Sequence, residues 1–321
     1  MICGAFTALA ENVINEDGVV FGAKFDEDWS VFHDYTDTKE GLAAFRGSKY
    51  VQSRIGDSFK KAEYFLKAGR KVLFSGTPCQ IAGLKRFLRK EYDNLLTVDF
   101  ICHGVPSPGV WRKYLKEETA RQCGGKNSVL SHPNIKERDA RIESISFRDK
   151  RLGWKKYSFA LTLSVAIGHG AKNTVLLSEP LNKNIFLRGF LADLYLRPSC
   201  HACPAKNFKS GSDVTIGDFW GIQNVMPEMD DDRGVSVVIV STESGVNLFR
   251  GMRLDNRVVD YESVLRYNPS IERAVRLTEK RNSFYANQEG MLSEKIEKLC
   301  CLSYRQRMRG IVSRILNILR S

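Results

Sequence analysis

The chain carries eight cysteines, and two features of their placement could do chemistry. Cys200-His201-Ala202-Cys203-Pro204 is a C-x2-C turn, which lets two thiolates reach one metal centre. A proline directly after such a pair removes a backbone donor and fixes the chain direction, as in bacterial iron–sulfur runs. Arg197, Lys206 and Lys209 stand close in sequence and could offset the charge of a thiolate-ligated centre. Half of a zinc site, a redox dithiol and half of an iron–sulfur site all fit this pair. A redox dithiol normally opens a helix after a strand. This pair follows a helix-like run instead, which weighs against that reading. Cys79 and Cys102 each stand alone in a turn after a short apolar run. Four soft thiolates suit zinc or iron–sulfur equally. Compact zinc modules bring two close pairs, so two isolated turn cysteines tilt the reading toward a redox centre beside a second cofactor. Cys3, Cys123, Cys300 and Cys301 lack such a setting and read as ordinary thiols, as His33, His132 and His169 read as structural histidines. His103 and His201 adjoin candidate ligands, where each could orient a ligand or relay a proton.

The elements that must position these groups are legible as patterns. Lys71–Phe74 and Leu95–Ile101 read as buried strands. Each runs into a turn, Ser75–Cys79 and Cys102–Ser107, and then into a helix, over Gln80–Leu88 and from Pro108 onward. Proline is favoured at the first helical position. Two strand–turn–helix units imply a parallel sheet with crossover helices. Both turns then lie at the carboxyl edge of the sheet, where ligands bind, and before helix N-termini that favour anionic groups. Helical spacing also marks Ala5–Asn15, with Phe6, Leu9, Val13 and Ile14 on one face, and Ser58–Ala68. Val19–Ala23, Val214–Gly217 and Val235–Val240 read as further strands, with a solvated loop at Asp230–Gly234. Residues 130–177 alternate like antiparallel strands, clearest at Ile145–Arg148 and Tyr157–Val165. Asn184–Leu196 has helical spacing and leads into Cys200, and from Ser263 the chain turns helical and basic. The fold class is therefore α/β with α+β character: parallel βα units, a more antiparallel β region and a helical C-terminal tail.

At 321 residues, with 43% hydrophobic and 27% charged, the chain is long and apolar enough to bury a core without disulfide staples. No run reaches the roughly 18 apolar residues of a membrane-spanning helix. The first residues form no secretory signal, so the expected compartment is cytoplasmic and the thiols reduced. Lys and Arg number 49 against 37 acids, a formal charge of +12. The excess is spread along the chain and no basic–aromatic motif accompanies it, so nucleic acid is not an expected partner. Tyr304–Ser321 pairs five arginines with apolar residues at helical spacing, a basic amphipathic helix able to make peripheral membrane contact or dock on a partner.

Four motifs in order complete the picture: Ser75-Gly76-Thr77-Pro78-Cys79-Gln80, Asp99 to Ser107, Cys200 to Pro204, and Ser212 to Gly221. With Gly18–Ala23 and Gly47–Gln52 upstream, the chain resembles the coenzyme F420 hydrogenase/dehydrogenase beta-subunit family over about residues 4–240. That resemblance implies an iron–sulfur flavoprotein oxidoreductase subunit, with FAD and a 4Fe-4S cluster, passing electrons between a reduced partner and coenzyme F420 or a related acceptor. It implies an N-terminal domain over 1–70, a flavin and iron–sulfur domain over 71–260, and a basic helical tail over 261–321. Ser75, Gly76, Thr77, Pro78, Gln80, His103, Gly104, Asp218 and Phe219 would then contact cofactor, with Trp220 beside them. Cys79, Cys102, Cys200 and Cys203 would hold the cluster. Lys49, Lys85 and Arg148 are candidates for the FAD pyrophosphate or the acidic tail of a deazaflavin. Members commonly begin with a ferredoxin-like segment dense in cysteine, whereas Cys3 is the sole cysteine among the first 70 residues here. The expected partners are therefore a separate ferredoxin-like or other redox protein and a small-molecule electron acceptor. The runner-up is a zinc-stabilised or catalytically decayed interaction protein.

Overall fold

The structure is a computed structural model that describes residues 2–124, 140–168, 171–252, 254–286 and 289–300. His132, His169, Cys301 and the amphipathic segment Tyr304–Ser321 lie outside the described residues. The chain opens with helix α1 (Ile2–Asn15), which turns Phe6, Leu9, Ala10 and Val13 inward. Strand β1 (Val19–Phe25) follows, and β2 (Val31–Thr36) pairs back on it antiparallel. The sequence pattern did not reveal β2, because its buried and exposed positions carry histidine, aspartate and tyrosine as well as apolar residues. Then come α2 (Ser58–Lys67), β3 (Val72–Gly76), α3 (Pro78–Leu88), β4 (Leu95–Phe100) and α4 (Pro108–Gly124). The expected turn Ser75–Cys79 is shorter than predicted: Pro78 is already the first residue of α3, so Cys79 sits in its first turn.

Strands β5 (Ala140–Asp149), β6 (Ser158–Gly168) and β7 (Ala171–Pro180) form a separate antiparallel sheet. Helix α5 (Ile185–Leu191) is capped by Asn184, whose side chain accepts from the Leu187 N–H at 3.0 Å. It ends five residues before the expected Leu196, because Asp193 takes a left-handed backbone with φ 59°. Strand β8 (Val214–Asp218), α6 (Ile222–Val225), β9 (Ser236–Val240) and α7 (Glu243–Arg250) return to the first sheet. The C-terminal run is broken into α8 (Tyr261–Tyr267), α9 (Glu279–Ala286) and α10 (Leu292–Cys300).

The main sheet has the order β2-β1-β3-β4-β8-β9. Its four central strands are parallel, and β2 and β9 close the edges antiparallel. The boundary expected at residue 70 falls between β1 and β3, which are neighbours in this sheet. Alternate residues of each strand feed opposite faces. Val20, Leu73, Val98 and Ile216 pack under α1 and α7, while Val19, Phe21, Val72 and Phe74 pack under α2 and α3. The antiparallel sheet forms the third core with α4, α5, α9 and α10, built on Trp111, Phe147, Phe159 and Phe186.

Two buried aspartates brace β4 against β8. The Asp213 carboxylate accepts from the Thr97 N–H at 2.7 Å, the Thr97 hydroxyl at 2.6 Å and the Thr242 hydroxyl at 2.6 Å. Asp99 accepts from the Ser210 and Thr215 hydroxyls, both at 2.6 Å. Burial pushes the Asp99 carboxyl up, against the pull of those hydroxyls. Much of the motif Ser212–Gly221 is therefore framework that fixes the sheet edge.

Candidate functional site

A cleft of about 420 Å3 opens at the carboxyl edge of β3, β4 and β8, between the main sheet and the antiparallel sheet. This is the edge at which open α/β sheets take ligands, and the size is that of a small-molecule site. Seven of the nine expected cofactor residues line it: Ser75, Gly76, Thr77, Gln80, His103, Gly104 and Asp218. Two do not. Pro78 starts α3 behind the turn, and Phe219 turns into a core cluster with Ile222 and Val237 at 3% exposure. Trp220 reaches the cleft instead. Of the three candidate cations, Lys49 and Arg148 line the cleft. Lys85 is not among the lining residues, and its stem passes beside Gly211.

The turn after β3 is held by a chain of polar contacts that the sequence did not disclose. The backbone N–H of Thr77 donates to Gln80 Oε1 at 2.9 Å, and Gln80 Nε2 donates to the Ser53 hydroxyl at 2.8 Å. That hydroxyl meets His33 Nδ1 at 2.9 Å, and His33 Nε2 meets the Ser75 carbonyl at 3.0 Å. A carbonyl only accepts, so Nε2 carries the proton and Nδ1 accepts from Ser53. Burial lowers the His33 pKa to about 4, so the ring is neutral at ordinary pH. His33 is structural, as expected, yet it stands on the cleft wall. Nothing near it in sequence could have announced this, because its partners lie on other elements.

The second turn needs its glycine. Gly104 has φ 150°, and a Cβ there would come within 2.9 Å of Leu196 Cδ1 and 3.4 Å of Cys200 Cβ. The same close approach brings the turn against the segment that carries the C-x2-C pair. His103 Nε2 meets Asp193 Oδ1 at 2.6 Å, and its ring packs edge-on against Phe190 at 5.4 Å. Asp193 thereby fixes the imidazole on the cleft wall. It comes from the residue whose left-handed backbone ends α5.

Cys79, Cys102, Cys200 and Cys203 are all reduced thiols. They lie within electrostatic range of one another. Burial raises the Cys102 thiol to about 12; the nearby Lys206 ammonium opposes the shift, and the charges of Cys79, Cys200 and Cys203 add to it. Burial likewise raises Cys200, again with Cys79 and Cys203 contributing. Lys206 is buried, and its ammonium donates to the carbonyls of Cys102 and Ser270. Burial pulls its pKa down while the surrounding thiols and Asp99 pull it back. Cys79 is the exposed member, and its sulfur lies 3.1 Å from the Thr77 hydroxyl. Among the described residues no group of three or more His, Cys, Asp or Glu side chains is arranged to hold a metal ion as it stands. The four sulfurs are neighbours of the right chemical type, not a closed ligand set.

Arg148 dominates the far wall. Its Nη1 donates to the Asp218 carboxylate, and its guanidinium lies over the Tyr157 ring at 4.5 Å and the Trp220 ring at 5.3 Å. Tyr50 joins this wall and stacks on Phe190 at 4.8 Å. Tyr50, Tyr157 and Asp193 were not singled out from the sequence, because each acquires its place only when the antiparallel sheet meets the main one.

No curated protein matches this chain. Among solved structures, a chain of the F420-reducing NiFe hydrogenase complex from Methanosarcina barkeri is similar, with 16% identity and a TM-score of 0.43, covering 97% of this chain and 85% of that one. The family described as the C terminus of the coenzyme F420 hydrogenase/dehydrogenase beta subunit matches residues 69–263, which is more than half of the chain and spans β3 to α8. The protein belongs to the coenzyme F420 hydrogenase/dehydrogenase beta-subunit family.

Proposed function

We propose that this protein is a redox subunit that binds FAD and a 4Fe-4S cluster. It passes electrons between a ferredoxin-like or other redox protein and coenzyme F420 or a related small-molecule acceptor, in the cytoplasm. One observation carries the reading. Four thiols from three separate segments gather beside a cleft of about 420 Å3 at the ligand-binding edge of a parallel sheet. A bound flavin exchanges hydride with a substrate and single electrons with a cluster.

The chain's own residues fit those groups by donor type. Cys79, Cys102, Cys200 and Cys203 would hold the iron, and ligation deprotonates a thiol outright, overriding the burial that keeps Cys102 protonated. Lys206 places a cation against the backbone of Cys102, which offsets the charge that four thiolates bring. The turn Ser75–Gln80, held rigid through His33 and Ser53, and the Gly104 backbone would form the floor under the flavin. Tyr50, Tyr157, Trp220 and Phe190 supply apolar ring faces that keep water from that floor. Among the described residues no helix is long and apolar enough to cross a membrane.

The test is cofactor content. Protein purified without oxygen and reconstituted with iron, sulfide and FAD is expected to show flavin absorbance and iron near four atoms per chain, the number held by four cysteine ligands. Cys102→Ser and Cys200→Ser should each lose most of the iron. A colourless, iron-free product would overturn the reading, and stoichiometric zinc without flavin would replace it with a zinc-stabilised interaction protein.

A further inference from the structure

We propose that the Nε–Nη2 edge of Arg148 is an oxyanion anchor, a two-pronged donor for a phosphate or carboxylate group on the molecule that enters the cleft. The inference rests on the cleft being a ligand site and says what chemistry the ligand must present there.

The Arg148 side chain is 9% exposed. Asp218 holds its Nη1 end, while Tyr157 and Trp220 lie against the guanidinium. Trp220 is itself backed by Trp154, stacked at 4.8 Å. The group is thus fixed in place, and one edge is left over. Nε and Nη2 are buried and have no hydrogen-bond partner among the described residues. Those two N–H groups lie side by side in the guanidinium plane, the spacing that matches two oxygens of a carboxylate or phosphate. Buried donors of a charged group left unpaired are costly, so a partner is expected.

The charge balance points to an anion. Among the described residues that line the cleft, Arg46, Lys49 and Arg148 stand against one carboxylate, Asp218. Asp218 pairs with Arg148, and Glu11, which is not among the lining residues, pairs with Arg46. The donors of Lys49 and Arg46 are engaged elsewhere: Lys49 donates to the carbonyls of Phe45, Arg46 and Gly47, and Arg46 donates to Thr7 and Glu11. The directed hydrogen bonds are therefore left to Arg148.

Two sources share this chemistry, a phosphate of a nucleotide cofactor and an acid group of the electron acceptor. Trp220 is a built-in reporter because its ring lies over the guanidinium. The full chain is titrated at constant ionic strength with inorganic pyrophosphate and separately with glutarate, following tryptophan fluorescence, with Trp220→Phe identifying the Trp220 signal. A saturable response to at least one probe is expected. Arg148→Lys keeps the charge but loses the planar fork, and should weaken that response at least tenfold. The double variant Arg148→Met with Asp218→Asn avoids leaving a buried unpaired carboxylate; once circular dichroism shows it folded, it should lose the response. A pyrophosphate response assigns the anchor to a cofactor phosphate and a glutarate response to a substrate acid group. No saturable response to either probe, or an undiminished one in the variants, overturns the anchor. If the protein binds no flavin while the Arg148-dependent response persists, the cofactor reading falls and the anchor stands.

Discussion

A buried histidine hydrogen-bonded at both ring nitrogens has one workable protonation state. His33 donates from Nε2 to a carbonyl and accepts at Nδ1 from Ser53, so a second proton would leave Nδ1 facing a donor that must turn away. Its pKa is about 4 in the fold against an ordinary 6.5. The sign follows from which state binds the proton first. Between pH 6.5 and 4 the unfolded chain protonates its histidine and the native chain does not. His33 therefore costs nothing above pH 6.5 and withdraws stability as pH falls through that window, about 3 kcal/mol in all. Urea midpoints measured from pH 7 to pH 4 should fall more steeply in the wild type than in His33→Gln, which keeps a donor and an acceptor but does not titrate. Parallel slopes would show that the folded ring takes up its proton as readily as the unfolded one. The cysteines were legible at this scale because their type and spacing are local properties. The pairing of Arg148 with Asp218 was not, because it spans 70 positions and joins a strand of one sheet to a strand of the other.

At the scale of elements, the turns matter more than the strands they end. The strand–turn–helix rhythm gave β3, α3, β4 and α4 from apolar runs and a proline, since local periodicity suffices for that. It could not give the approach of the Gly104 turn to the segment Pro198–Ala202, which depends on where α5 stops. Asp193 breaks α5, Leu196 then packs into the core, and its side chain and Cys200 close over the glycine. Gly104→Ala is accordingly expected to cost about 2 kcal/mol through its backbone conformation and the contact with Leu196. It should also displace Cys200, so that iron content after reconstitution falls along with the melting temperature. Gly109→Ala is the matched control, because it lies in the first turn of α4 and its added Cβ would meet the Ser107 hydroxyl at an ordinary 3.6 Å. A Gly104→Ala protein with unchanged melting and full iron would mean that this contact is slack.

The whole molecule is two sheets joined along a seam that carries the cleft. Cys79 and Cys102 are fixed to the main sheet, while Cys200 and Cys203 hang from the segment that follows α5 of the other core. Arg148 repeats the pattern, reaching from β5 to an aspartate at the end of β8. Beside the apolar packing of Val31, Val51 and Phe25 against the antiparallel sheet, the seam holds thiols and polar groups. Burial holds Cys102 in its neutral form, and two donors of Arg148 are unspent. A ligand that bridges the seam adds its binding free energy to these contacts. A ligand present at a hundredfold its Kd adds about 2.7 kcal/mol to the folded state, or several degrees of melting temperature for a chain of this length. Oxygen-free thermal melts with and without iron, sulfide and FAD should therefore separate two increments. The iron-dependent one should vanish in Cys79→Ser and Cys200→Ser alike, although these residues sit on opposite sides of the seam. The flavin-dependent one should survive both. If Cys79→Ser removed the iron increment while Cys200→Ser left it whole, the two sheets would not share a centre, and the cleft would be a flavin site without a cluster bridging it.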